Sequence, residues 1–208
     1  MIRNLIWDFD GTLYDTYPPM AQAFWETLRM YGHDVPYHAV YDALKRSVGY
    51  ALELFTEQCG LDNAFEGKYR VRRMEIEAHT AHPFPGVKNV LEQVCNTGGA
   101  NFILTHRGAT LRGMLERDDF DRFFRECVTT EYGFPRKPDP AGVYYLLDTH
   151  RLSAEETMMV GDRPLDILAG KNAGIRTCFF DPDGAVCPDS EFQVNDFEAL
   201  TRLLKEEQ

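Results

Sequence analysis

Short apolar runs, Asn4–Asp8, Asn101–Leu104, Glu126–Thr129, Thr157–Val160 and Arg176–Phe180, alternate with amphipathic stretches along most of this chain. Runs of that length and character read as buried strands. The stretches between them carry apolar residues at helical spacing: Val87, Val90, Leu91 and Val94 within 87–96, Leu111, Met114 and Leu115 within 110–117, and Val143, Leu146 and Leu147 within 141–150. A further stretch, 164–173, opens with proline at a first-turn position. Strictly alternating elements predict an α/β fold, a parallel sheet with helices on both faces. Ligands of such sheets bind at the carboxyl ends of the strands.

One block breaks the alternation. Within 16–82, amphipathic stretches over 18–31, 37–48, 50–59 and 64–80 follow one another without a strand between them. The first repeats Met20, Phe24 and Leu28, the second Val40, Tyr41 and Leu44, the third Leu52, Leu54 and Phe55. Pro83-Phe84-Pro85-Gly86 then punctuates the return to the α/β pattern. The expected organisation is an α/β core of residues 1–15 and 83–208 with a helical insertion, 16–82, whose connections near Thr16 and Pro83 act as hinges. The tail, 203–208, is polar and is expected to fray.

Composition excludes several classes. Lys+Arg 22 against Asp+Glu 33 in 208 residues leaves a net charge of −11, and no basic block offers phosphate neutralisation for nucleic acid. No apolar run approaches the ~18 residues of a membrane span. Asp8 interrupts the apolar N-terminal stretch before a signal-peptide core forms. The cysteines (Cys59, Cys95, Cys127, Cys178, Cys187) are scattered, with no C-x-x-C pair. That pattern fits reduced thiols in a cytoplasmic protein, most of them buried and inert.

Four constellations carry chemistry. Asp8 and Asp10 lie two apart where the first strand ends, with Gly11 allowing a tight turn; one carboxylate can attack an electrophile while the other handles a proton. The bland alternative is a solvated Asp-Gly turn. Asp162 and Asp166 follow the apolar run Met158-Met159-Val160 and suit a hard cation such as Mg²⁺, or, for Asp166, simple helix capping. Thr105, after Phe102-Ile103-Leu104, can hold a phosphate oxygen or cap the next helix. Lys137, stiffened by Pro135 and Pro138, can neutralise charge on a phosphoryl group, or is an ordinary loop lysine. His79-x-x-His82 lacks a third ligand nearby and reads as structural.

In this order, the segments resemble the haloacid-dehalogenase-like (HAD) hydrolases, in the subfamily with a helical cap after the first strand, and most of all its phosphoglycolate-phosphatase-like members. Asp8-Phe9-Asp10-Gly11-Thr12 matches the first family motif, Thr105 the second, Lys137 the third, and Gly161-Asp162 with Asp166 the fourth. The resemblance implies a Rossmann-like sheet with an inserted cap, and a Mg²⁺-dependent phosphatase acting on a small phosphorylated metabolite. Asp8 would form an aspartyl-phosphate; Asp10 would protonate the leaving oxygen and then activate water. Mg²⁺ would be held by the Asp8 carboxylate, the Asp10 backbone carbonyl and Asp162, with Asp166 acting through water or from behind the ligands. Thr105, Lys137, the His106 amide and the Gly11 and Thr12 amides would grip the phosphoryl oxygens. The net acidity then gains a purpose, since a divalent cation makes such a carboxylate cluster tolerable.

One departure concerns the second motif. Relatives often carry asparagine after its hydroxyl residue, whereas this chain reads Thr105-His106-Arg107. Arg107 offers either a bidentate grip on an anionic substrate or a pair with a surface carboxylate; the His106 ring reads as structural. In the cap, Ser47-Val48-Gly49-Tyr50 is expected to form a substrate-facing loop, with Lys45, Arg46, Gly49 and Tyr50 as specificity candidates. The same scaffold also hosts phosphomutases, metal-free haloacid dehalogenases and non-catalytic binding proteins. Asp10 and Asp162 argue against a dehalogenase, and the full set of carboxylates argues against a binding protein.

Overall fold

The computed structural model describes residues 1–207. In chain order the strands and helices are β1 (Asn4–Trp7), β2 (Tyr14–Asp15), α1 (Tyr17–Met30), α2 (Tyr37–Arg46), α3 (Val48–Cys59), α4 (Phe65–Thr80), β3 (His82–Pro83), α5 (Val87–Asn96), β4 (Ala100–Leu104), α6 (Thr110–Arg117), β5 (Phe124–Val128), α7 (Ala141–His150), β6 (Thr157–Gly161), α8 (Pro164–Asn172), β7 (Arg176–Phe180), β8 (Phe192–Val194) and α9 (Phe197–Glu206). The chain divides into two compact units, Met1–Tyr14 with Pro83–Gln208, and Asp15–His82. The chain crossings between them pair as the short β2–β3 ribbon. No helix among the described residues is long and apolar enough to cross a membrane.

The first unit is built on a six-stranded sheet in the order β5-β4-β1-β6-β7-β8, with every adjacent pair parallel. Every residue of β1 is buried, which suits a central strand covered on both faces. Alternation along the strands assigns the two faces. Ile6, Phe102 and Leu104 pack with Val143 and Leu146 of α7 and Ala169 of α8. On the opposite face Trp7 donates to Asn101 (3.0 Å), and Asn101 donates to the Leu91 carbonyl of α5 (3.2 Å). There the Trp7 ring also stacks on Phe197 of α9, with centroids 6.1 Å apart.

Because β1 lies between β4 and β6, the chain winds outward in both directions from it. That is the switch point at which α/β sheets place their ligands. The register sets Trp7 beside both Ile103 and Val160, so β1, β4 and β6 end together.

The second unit is helical. Met20, Phe24 and Leu28 form one stripe of α1, and Phe24 is its hub: its ring lies 5.6 Å from Phe55, 5.0 Å from Phe65 and 5.0 Å from Tyr69. Pro18 and Pro19 occupy the first turn of α1, where a missing N–H costs nothing.

Several expectations need correction. Ser47–Tyr50 is not a loop. Ser47 is extended and accepts the Tyr50 amide (2.9 Å), so α3 starts at Val48 immediately after α2 ends. The tail does not fray through 203–206, because α9 runs to Glu206 and buries Leu200 and Leu204; Gln208 lies outside the described residues. The alternating reading missed β8 and α9 altogether, the first being only three residues long. Most cysteines are not buried: Cys178 and Cys187 are, Cys59 and Cys127 are half-buried, and Cys95 is exposed on α5.

Candidate active site

Asp8 stands one residue past β1, where its amide donates to the Val160 carbonyl (2.9 Å). The following turn closes on itself. The Thr12, Leu13 and Tyr14 amides all donate to the Phe9 carbonyl, Gly11 donates to Tyr14, and the Phe9 ring stacks on Tyr14 at 4.6 Å. Gly11 has a φ of 81°, a left-handed conformation that a side chain would strain. The Gly11 and Thr12 amides, expected to grip phosphate, are thus engaged by the turn itself. What Thr12 contributes to the site is its hydroxyl, which donates to Asp162 Oδ1 (3.0 Å).

Lys137 is not an exposed loop lysine. Its side chain is 2% exposed, and Nζ donates to Asp8 Oδ1 (2.5 Å) and the Leu104 carbonyl (2.9 Å). Nζ also stands 2.5 Å from Asp166 Oδ1. Burial works against the ammonium, but Asp166 and Asp8 hold its pKa above the ordinary lysine value.

Asp166 does cap α8. Its Oδ2 accepts the Arg163 amide (3.1 Å), capping α8, while Oδ1 faces Lys137. Gly161 makes this possible, since a Cβ there would sit 2.7 Å from Asp166 Cγ.

Asp8, Asp162 and Asp166 offer carboxylate oxygens that all lie within 4.8 Å of one another. The Asp8 carboxyl is buried, and its Oδ2 has no hydrogen-bond partner. Burial first, then the Asp166 charge, pushes the Asp8 carboxyl up to about 6 against the pull of Lys137 and Arg163. An orphaned buried carboxylate oxygen among oxygen-only donors fits a hard divalent cation. Asp10 does not offer its side chain to this group; that carboxylate turns to Arg107 instead.

The second-motif loop lies beside these residues. Thr105 does not cap a helix; its hydroxyl accepts the Arg107 amide (3.1 Å). His106 Nε2 accepts the Lys137 amide (3.0 Å), which places the ring proton on Nδ1. Burial, helped by Lys137, Arg136 and Arg163, drops the His106 pKa to about 4 and keeps the ring neutral. Arg107 is drawn inward rather than lying on the surface. It is 6% exposed, and its guanidinium pairs with the Asp10 carboxylate.

Sequence reasoning assigned no role to Arg163, whose Nη2 stands 3.7 Å from Asp8 Oδ2. Its position between Asp162 and Asp166, directly after a buried strand, was the available signal. The remaining candidates belong to the helical unit. Arg46 lies at the end of α2 with its guanidinium 3.9 Å from the Tyr50 ring centroid, Gly49 and Tyr50 are in the first turn of α3, and Lys45 lies 6.0 Å from Tyr41. His79 and His82 join no candidate metal group among the described residues.

Comparisons with known proteins cover most of the chain. Over 188 residues the chain is 29% identical to a phosphoglycolate phosphatase of Vibrio cholerae, covering 83% of this chain and 81% of that one. It is 28% identical over 178 residues to a 5'-nucleotidase of Pseudomonas aeruginosa, covering 83% and 79%. The crystal structure of a hydrolase from Streptococcus pneumoniae superposes with a TM-score of 0.71 at 33% identity, covering 98% of each chain. The family model described as haloacid dehalogenase-like hydrolase matches residues 5–180, and with β1, β4 and β6 presenting their motif residues at one sheet edge, the chain belongs to that family.

Proposed function

We propose that this protein is a Mg²⁺-dependent phosphatase that hydrolyses a small phosphorylated metabolite through an aspartyl-phosphate. The observation that carries the reading is the Asp8 carboxylate, buried among Asp162, Asp166 and Lys137 with one oxygen that accepts no hydrogen bond. Asp8, Asp162 and the Asp10 backbone carbonyl would hold Mg²⁺, with Asp166 close behind. When bound, the cation offsets the carboxylate charges and draws electron density from a phosphoryl oxygen.

The chain's own residues do the rest. An Asp8 oxygen attacks phosphorus, and the bond from phosphorus to the leaving oxygen breaks as that oxygen takes a proton from Asp10. Water then attacks phosphorus and gives a proton to Asp10, which breaks the bond to Asp8 and releases phosphate. Lys137 faces the charge that accumulates on the phosphoryl oxygens, and because it is buried it needs no reorganisation to do so. Thr105 and the His106 amide line the phosphoryl side. Leaving-group selectivity is assigned to the helical unit, 15–82, with Lys45, Arg46 and Tyr50 as its polar candidates and Gly49 beside them.

A screen of phosphate monoesters with Mg²⁺, including 2-phosphoglycolate and nucleoside monophosphates, tests the reading. Turnover is expected to vanish in Asp8→Asn and in EDTA. Full activity in EDTA, or release of chloride from a 2-haloacid instead, would overturn it.

A further inference from the structure

We infer that Arg107 is the positioning residue for Asp10, fixing its carboxyl group so that a proton passes to the leaving oxygen. The inference rests on the phosphatase reading above. Arg107 Nε lies 3.2 Å from Asp10 Oδ1 and 3.3 Å from Oδ2, and Nη2 donates to Oδ1 as well. Fork donors of this kind set both the distance and the plane of a carboxylate.

Arg107 is itself anchored. Nη1 donates to Thr110 Oγ1 (3.1 Å) and contacts Met114 Sδ (3.4 Å), and the guanidinium carbon lies 5.2 Å from the Phe9 ring centroid. Its amide donates to Thr105 Oγ1 (3.1 Å) and its carbonyl accepts from Thr130 (3.3 Å). Its side chain is 3% exposed, against 20% for Asp10. A guanidinium held this way does not reach out to a substrate anion, whereas the carboxyl it holds still meets solvent. Asp10 lies three residues past β1, in an isolated bridge to Tyr14, so its backbone leaves the direction of the carboxyl to be set by a partner such as Arg107. Lysine, a point charge, would keep the sign but lose the fork.

The test compares wild type, Arg107→Lys and Thr110→Val on an alkyl phosphate and on 2,4-dinitrophenyl phosphate, with Mg²⁺. An alkoxide must be protonated as it leaves; dinitrophenolate leaves without help. For Arg107→Lys, kcat/KM is expected to fall on the order of 10²-fold for the alkyl ester and less than about threefold for the dinitrophenyl ester. Thr110→Val, which removes the strut from Nη1, should show the same selectivity at smaller size. It decides the question if Arg107→Lys does not fold. The Asp10→Asn/Arg107→Lys double variant should be no slower on the alkyl ester than Asp10→Asn alone. Equal losses on both esters, or additive losses in the double variant, would overturn the inference alone. A wild type that cleaves neither ester overturns the phosphatase reading, and this inference with it.

Discussion

Lys137 Nζ donates to Asp8 Oδ1 at 2.5 Å, joining residues that lie 129 positions apart in a contact almost wholly hidden from solvent. The ammonium is held there before any substrate arrives. Its removal therefore takes away a preorganised charge and leaves the Asp8 and Asp166 carboxylates facing one another. Lys137→Met is expected to lower kcat by about 10²–10³-fold, measured with Mg²⁺ on whichever monoester the screen finds best. Loss of less than about fivefold would show that Lys137 serves structure more than chemistry.

His106 gives the site a pH dependence of defined sign. Its pKa is dropped from 6.5 to about 4, chiefly by burial, and its neutral Nε2 accepts the Lys137 amide. Between those values the unfolded chain binds the proton that the folded chain refuses, so stability falls as pH falls. The stability His106 contributes is complete above about pH 6.5 and is lost by about pH 4. The difference in Tm between wild type and His106→Gln should shrink across that window and stay flat above it. A difference that grows on acidification would contradict the assignment.

Gly161→Ala tests the close approach of α8 to β6. The added Cβ would press on Asp166, the residue that both caps α8 and faces Lys137. A destabilisation of about 1–3 kcal/mol is expected by urea denaturation, together with a loss of activity larger than the remaining folded fraction explains. An active, fully stable variant would show that Asp166 can shift without consequence.

Phe197→Ala tests whether the C-terminal helix belongs to the core. The ring is 2% exposed and packs against Trp7, Phe84 and Phe180, with centroids 6.1, 6.4 and 4.9 Å away. Its truncation should destabilise the α/β unit by about 3–5 kcal/mol, read from chemical denaturation. A cost under about 1 kcal/mol would return α9 to the status of a fraying tail.

Local pattern alone determined much of this protein. A buried central strand reads as Asn4-Leu5-Ile6-Trp7 without a break, and the stripe Met20, Phe24, Leu28 reads as a helix, because both signals lie within a few residues. The carboxylates Asp8, Asp162 and Asp166 were legible for the same reason, each standing just past a strand or in a first helical turn. The C-terminal end was not, since β8 is three residues long and the apolar stripe of α9, Phe197, Leu200 and Leu204, is set among charged residues.

Tertiary structure alone decided the partners. Whether Lys137 was a loop lysine, Asp166 a mere cap, or Arg107 a surface ion-pair residue depended on which strand ends meet. That is settled by β1 lying between β4 and β6 in a register that pairs Trp7 with both Ile103 and Val160. The contacts Lys137–Asp8 and Arg107–Asp10 span 129 and 97 positions, far beyond the reach of any local periodicity. Side-chain pattern fixes which face of an element is buried; only the packed sheet fixes which polar groups are buried together, and so which charges must answer one another.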